Sequence, residues 1–375
     1  MHYFLSAGEP SGDLHASVLI DELKKKDAEA TFTFLGGDLM ARAAGHPPVI
    51  HYSRMAFMGF SEVLRNLKTI GENFKIAKAS LKGSGADALI LVDYPSFNMK
   101  LAKYAKELGI PVFYYISPKV WAWKEWRVKG LRRHVDHILS ILPFEVEYFK
   151  DKNVRVTYVG NPSKEEMELK LAHAGTKADF IARHSLDPDR QLLALVPGSR
   201  RGEIRNNLPI MDAVARRNPS LQPVIAAAPG IPPEFYAQYS SFPRIEGDTF
   251  RLMHFSEAAL VTSGTATLEC AIAGTPQVVC YRANGSKLSY NIMKHLIKAP
   301  FVSLPNLIAD REVIPEMLVH LCTVDSVDAK LKAILEGMPG REKQLEGYRI
   351  MMSRLGEGKA ASGAAAIITE ELNSR

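Results

Sequence analysis

Tyr3-Phe4-Leu5-Ser6-Ala7 runs straight into Gly8-Glu9-Pro10-Ser11-Gly12-Asp13, and this join decides the fold. The first five residues are apolar or small, as a buried strand requires, and the glycines permit a tight turn. Leu14–Lys26 then carries the apolar periodicity of a helix. A strand that turns directly into a helix opens a βαβ unit, whose parallel sheet is covered on both faces. The turn is not Gly-x-Gly-x-x-Gly, so the dinucleotide fingerprint is absent. Two readings fit it. The free N–H groups of the helix N-terminus can receive an anionic ligand, and Glu9 is hard to explain by the turn alone. Alternatively it is a plain turn, with Asp13 as the helix N-cap.

The same alternation repeats downstream. Strands are predicted at Tyr3–Ala7, Thr31–Leu35, Ala88–Val92, Pro111–Ile116, His137–Ile141 and Val156–Val159. The helices among them include Leu14–Lys26, Leu64–Ser80 and Met99–Leu108. A second series has strands at Gln191–Val196, Pro223–Ala227, Ala258–Thr262, Gln277–Tyr281 and Phe301–Ser303. Its helices are Ile204–Arg217, Thr267–Ala273, Ser289–Leu296 and Ile314–Leu318. Pro162–Asp189 is polar and weakly patterned and is read as the boundary. This gives an α/β fold of two Rossmann-like domains, 1–165 and 166–340, facing a cleft, with a helical tail at 341–375. Ligands of such sheets sit beyond the carboxyl ends of the strands.

A length of 375 residues fits two or three domains, and 46% apolar with 23% charged residues is globular composition. Three cysteines, Cys270, Cys280 and Cys322, form neither a disulfide framework nor a metal spacing. The 11 histidines are dispersed without a zinc motif, so no metal is expected. The net charge of +6 suits an anionic partner: nucleic acid, a membrane surface or a phosphorylated ligand. No apolar run is long enough to span a membrane, and the start is too short and acidic for a signal peptide. The expectation is a cytosolic protein that touches a membrane from outside.

Four loops carry candidate chemistry. Asp93-Tyr94-Pro95-Ser96-Phe97-Asn98 follows the most apolar strand; Asp93 there is a candidate base or a turn and cap residue. Tyr115–Lys124 holds Ser117, Trp121 and Trp123, and Trp126-Arg127-Val128-Lys129 adds cations; these stack on sugars, meet a membrane or close the core. No nucleic-acid motif accompanies the cations, so nucleic acid is a distant reading. Pro197-Gly198-Ser199-Arg200-Arg201-Gly202-Glu203 is suited to a diphosphate but lacks the ending of a Walker loop. Ser263-Gly264-Thr265-Ala266-Thr267-Leu268-Glu269 offers hydroxyls and N–H groups to phosphate, and Glu269 to a ribose diol. For both loops a capped helix start is the bland alternative. Met55, Phe57, Met58, Phe60, Leu64 and Leu67, flanked by Arg54, Arg65, Lys68 and Lys75, suit an interfacial membrane contact or a methionine-rich core.

In this order the motifs resemble lipid-A-disaccharide synthases, which are inverting, metal-independent glycosyltransferases of the GT-B fold. The resemblance rests on AGEPSGD (Ala7–Asp13), MGFSEVL (Met58–Leu64), DYPSFN (Asp93–Asn98) and YISPKVWAW (Tyr115–Trp123). It continues through ILPFE (Ile141–Glu145), VGNP (Val159–Pro162), PGSRRGEI (Pro197–Ile204), SGTATLE (Ser263–Glu269) and SLPN (Ser303–Asn306). It implies that UDP-2,3-diacylglucosamine and 2,3-diacylglucosamine 1-phosphate give a β-1,6-linked disaccharide 1-phosphate and UDP, in lipopolysaccharide synthesis.

Under that resemblance Asp93 is the base on the acceptor 6-hydroxyl. Arg200 and Asn306 help hold the nucleotide and its leaving diphosphate, and Gly198–Arg200 with Ser263–Thr267 and Glu269 form the UDP site. Gly8, Glu9, Ser11, Gly12, Asp13, Asn98, Ser117 and Trp121 lie on the acceptor side. No cofactor is implied. The partners are the two glycolipids, an anionic inner-membrane surface and a possible second copy. Ser96 stands where the family usually has Asp, and Asn161 where it has His, so neither carries those roles here. A UDP-N-acetylglucosamine 2-epimerase-like isomerase and a non-catalytic glycolipid binder are the rival readings.

Overall fold

The computed structural model describes residues 1–55, 66–122, 125–282 and 300–375, apart from the side chain of Leu67. The chain forms two compact units, residues 1–162 with 357–375 and residues 163–356.

In the first unit β1 (His2–Ala7), β2 (Thr31–Gly36), β3 (Ile50–His51), β4 (Ala88–Val92), β5 (Val112–Tyr115), β6 (His137–Ser140) and β7 (Val156–Tyr158) form one sheet in the order 3-2-1-4-5-6-7. All its pairs are parallel; Tyr3 stands opposite Phe32 on one side and Ala88 on the other. Successive residues feed opposite faces, as the pleat demands. Tyr3, Leu5, Ile90 and Phe113 enter one core, and Phe4, Leu89, Leu91 and Tyr114 the other. The helix Ala360–Asn373 completes the first core with Ala360, Ala364, Ala365 and Ile368, small residues on one stripe.

In the second unit β8 (Gln191–Val196), β9 (Leu221–Ala227), β10 (Arg244–Glu246), β11 (Ala258–Val261), β12 (Gln277–Tyr281) and β13 (Glu316–Leu318) form a parallel sheet in the order 10-9-8-11-12-13. Here too the faces alternate, Leu193 and Leu195 packing into one core and Leu192, Ala194 and Val196 into the other.

Some expectations are corrected. Phe301–Ser303 is not a strand; it leads into the helix Leu304–Ala309, whose first turn accepts Pro305 because no N–H is needed there. Ile314–Leu318 is not a helix. Pro315 pushes the preceding residue toward extended backbone, and Glu316–Leu318 pairs with Val279–Tyr281. Pro162–Asp189, read as the boundary, contains the helices Pro162–Ala172 and Lys177–Arg183. The tail is not one element: Gly356, at φ 62°, ends the helix Pro339–Leu355 of the second unit before the chain rejoins the first. The predicted helix Ser289–Leu296 lies outside the described residues.

Candidate active site

Each sheet reverses its winding direction once, beside β1 in the first unit and beside β8 in the second. At such a point the loops from adjacent strands diverge and leave a crevice at the strands' carboxyl ends. Gly8–Asp13 follows β1 and Asp93–Asn98 follows its neighbour β4; Pro197–Glu203 follows β8 and Ser263–Glu269 follows its neighbour β11. The loops singled out in the sequence therefore stand at the two switch points.

Asp93 is held in an unusual backbone. Asp93, Tyr94 and Ile116 have φ of 46°, 49° and 59° without being glycine. Such positions cost on the order of 1–3 kcal/mol each and persist only where neighbours over-determine them. The neighbours are clear. The Asp93 N–H donates to the Ile116 carbonyl at 3.2 Å. Its own carbonyl accepts from Asn98 Nδ2 at 2.7 Å and the Tyr114 hydroxyl at 2.8 Å. The Tyr94 hydroxyl donates to the Met55 carbonyl at 2.6 Å. Gly8 must be glycine, since a Cβ there would lie 2.3 Å from the Tyr94 ring. The half-buried Asp93 carboxyl is raised above the usual carboxylate range by burial, with the Lys119 charge opposing. A carboxylate shifted toward neutrality is suited to taking a proton from an alcohol.

Other acceptor-side candidates serve the scaffold. Asp13 is not the cap of its own helix; Glu9 occupies that position. Its buried carboxylate accepts from the N–H groups of Gly37, Leu39 and Met40 at 2.7, 3.1 and 3.2 Å, capping the next helix, Asp38–Ala44. Asn98 is fully buried and bonds Ser6, Val92 and Asp93, so it shapes the Asp93 turn rather than facing a ligand. Gly12 packs its helix against Ala7, and Ser117 is buried. Trp121 is half-buried, its ring edge-on to Phe144 and its indole N–H on Glu145 Oε1 at 2.9 Å. Glu9 is half-buried and Ser11 exposed at the mouth of the turn. Met55 is 1% exposed and belongs to the core, so it is no membrane contact. Phe57, Met58, Phe60 and Leu64 lie outside the described residues, as do Arg65, Trp123 and Lys124. Leu67 opens the helix Leu67–Ser84.

Glu145 was given no role in the sequence. It opens the helix Glu145–Lys150 after β6, is 2% exposed, and accepts from Trp121 and Ser140. Burial pushes its carboxyl up to about 7 against the pull of those hydrogen bonds and of Lys119. The only sequence signal was its place at a strand's carboxyl end.

In the second unit Gly198, at φ 113°, lets the Glu203 carboxylate reach the N–H groups of Ser199 and Arg200 at 3.0 and 3.3 Å. Glu203 also pairs with the exposed Arg200 guanidinium at 3.6 Å. The loop thus caps its helix with its own carboxylate. At the second loop Gly264 and Thr265 are exposed, and Ser263 and Ala266 half-exposed, at the start of the helix Thr265–Ile272. Thr267 is turned inward, its hydroxyl on the Gly264 carbonyl at 2.8 Å, and is not placed to touch phosphate. Asn306 is fully buried: its oxygen accepts from Val313 and Ile314, and its amide donates to Ile314 and Glu316. It fixes the approach to β13 and faces no ligand.

An open cavity of about 380 Å³ lies beyond β9 and β10. Glu269 lines it, with Lys170, His173, Asp248, Phe250 and Arg251. Burial raises the Glu269 carboxyl, while Lys170 opposes and Glu166 adds to the shift. Asp248 is held by Arg251 at 3.5 Å and His184 at 3.2 Å. The wall at Gly247–Arg251 escaped the sequence reading because β10 has only three residues and no apolar run announces it. Among the described residues no His, Cys, Asp and Glu side chains group to hold a metal ion.

Paired parallel sheets of this kind superpose on enzymes of known structure. The chain superposes on the S. aureus MnaA–UDP co-structure with a TM-score of 0.70 at 12% identity, covering 99% of this chain and 97% of that one. It superposes on UDP-GlcNAc 2-epimerase from Neisseria meningitidis bound to UDP-GlcNAc with a TM-score of 0.64 at 12% identity, both chains fully covered. The calicheamicin glycosyltransferase CalG4 gives 0.58 at 14%, covering 100% and 98%. At these identities the likeness defines the fold, an α/β glycosyltransferase and epimerase architecture.

Sequence decides within that class. The family model for lipid-A-disaccharide synthetase matches residues 3–368. The lipid-A-disaccharide synthase of Myxococcus xanthus is 38% identical, with 98% of this chain and 96% of that protein covered. That of Geobacter metallireducens is 34% identical, with 98% and 97% covered. The chain belongs to the lipid-A-disaccharide synthase family and is a glycosyltransferase.

Proposed function

We propose that the protein transfers the sugar of UDP-2,3-diacylglucosamine to the 6-hydroxyl of 2,3-diacylglucosamine 1-phosphate, inverting the anomeric carbon and releasing UDP. The observation that carries this reading is the Asp93 carboxyl, its charge disfavoured by burial, held by strained backbone at Asp93 and Tyr94 beside the switch point of the first sheet and at Ile116 after β5. Asp93 takes the acceptor proton as the new C–O bond forms and the bond to the UDP oxygen breaks. General-base help of this kind supplies about 10²–10⁴-fold. In the second unit the cavity at Glu269 receives the nucleoside, and the Ser263–Ala266 turn takes phosphate oxygens. Arg200, released from Glu203, balances the charge growing on the diphosphate.

The lipid substrates call for a docked enzyme. Among the described residues no helix is long and apolar enough to cross a membrane. Trp126 is 70% exposed and is followed by exposed Lys129, Arg132 and Arg133, a combination suited to an anionic lipid surface. Phe57, Met58, Phe60 and Leu64 are proposed to add apolar contact.

The test is incubation with the UDP-sugar donor, with and without the monosaccharide 1-phosphate acceptor, followed by mass spectrometry. Acceptor-dependent disaccharide and UDP are expected, and Asp93→Asn should bind UDP normally yet lose 10²-fold or more of turnover, on the order expected for a base. UDP-sugar isomerisation without acceptor would favour the epimerase chemistry instead.

A further inference from the structure

The loop after β5 is pinned at both ends. At Ile116 its carbonyl accepts from the Asp93 N–H. At Trp121 its indole N–H donates to Glu145 Oε1 at 2.9 Å, and the other carboxyl oxygen of Glu145 bonds Ser140 at the end of β6. Lys119 is exposed and lies between the two pins. Its charge acts on both Asp93 and Glu145. Three neighbouring strands, β4, β5 and β6, thus end in a carboxyl, a cation and a carboxyl.

We infer that Glu145 is a positioning residue for the reaction: by clamping Trp121 it holds Lys119 toward Asp93 and so sets the pH at which Asp93 becomes a competent base. The inference rests on the reading of Asp93 as that base.

The groups facing Glu145 are Ser140 from β6, Ser117, Lys119 and Trp121 from the β5 loop, and Tyr148 of its own helix. Because burial raises the Glu145 carboxyl to about 7, it is neutral below that pH. A neutral carboxyl still accepts from Trp121 and can donate to Ser140, whose hydroxyl also reaches the Leu142 carbonyl at 3.0 Å. The clamp therefore works by shape, and glutamine at this position can replace it.

The test measures the Asp93 titration directly, by NMR of protein labelled at the aspartate carboxyl carbon, with the Asp93 signal assigned from Asp93→Asn. The pH profile of kcat/KM is recorded on the same variants. Trp121→Phe, Glu145→Ala and Lys119→Met are each expected to raise the Asp93 midpoint and the acid limb by about half a pH unit, the effect of losing a nearby opposite charge. Glu145→Gln is expected to leave both in place. The double variant Lys119→Met with Trp121→Phe should shift no further than either alone. Unshifted midpoints in Trp121→Phe and Lys119→Met, or additive shifts in the double variant, overturn the inference, even if Glu145→Ala fails to fold. A shifted midpoint alongside full turnover in Asp93→Asn would keep the clamp and remove Asp93 as the base.

Discussion

Replacing Asp13 by Asn separates a scaffold role from a ligand role. The carboxylate of Asp13 reaches from its helix to three N–H groups of the next turn, Gly37 and Met40 on Oδ1 and Leu39 on Oδ2. Asparagine keeps the Oδ1 bonds but sets an NH₂ against the Leu39 N–H. One charge-assisted bond is lost and a buried donor left unpaired, about 2–4 kcal/mol together. For a unit of this size each kcal/mol moves Tm by roughly 2–4 °C, so a fall of about 4–16 °C is expected in calorimetry. The acceptor KM of the folded fraction, measured well below that temperature, should be unchanged. A Tm within about 2 °C of the parent, together with a raised acceptor KM, would refute this reasoning and return Asp13 to the acceptor. Gly37→Ala should fall in the same direction, because its Cβ would lie 2.7 Å from Asp13 Oδ2 and 2.2 Å from the Tyr52 ring.

Gly160→Ala should loosen the helix Ala360–Asn373: φ is 113° there and a Cβ would meet the Gly358 carbonyl oxygen at 2.2 Å. Limited proteolysis should release the C-terminal residues faster, and unchanged protection would count against the packing described. Glu145 makes stability depend on pH. The folded protein holds this proton up to about 7 against an ordinary 4.5, so its contribution is complete below 4.5 and is lost as pH rises through 7. The loss is at most about 3 kcal/mol, and Glu145→Gln should flatten that part of the urea-unfolding profile. Glu269→Gln and Arg200→Ala should each weaken UDP binding about tenfold by calorimetry, the scale of one polar contact to a bound ligand; an unchanged affinity would move the nucleotide elsewhere.

The sheets were legible because central strands carry apolar runs, as Ala88–Val92 and Leu192–Val196 do, and both faces of a parallel sheet are buried. The switch-point loops were legible for the same reason, since the residue after such a run has one place to go. What the sequence hid was which polar side chains face inward. Asp13, Asn98 and Asn306 stand in the first turns of helices, where ligand contacts also stand. Each is spent on backbone N–H or C=O groups that burial would otherwise leave unpaired. Glu145 errs the other way: nothing in Ile141–Glu145 announces that Trp121, 24 residues earlier, will bring an indole N–H to it. Pro315 did carry a readable signal against a helix, and apolar neighbours obscured it.

The two sheets repeat one strand order, and the difference between their switch points follows from what surrounds each loop. Beside β1 the space a side chain on Gly8 would take is filled by the Tyr94 ring, and burial disfavours the charge of Asp93. Beside β8 the glycine is filled by a carboxylate, Glu203, which satisfies the turn's N–H groups while leaving Arg200 in solvent. On the proposed function, Asp93 is the group that takes a proton, and Glu203 is the anion that satisfies its turn until a phosphate displaces it. Each then serves a different half of the reaction: a smaller residue at Tyr94 should act on turnover, and Glu203→Gln on nucleotide affinity.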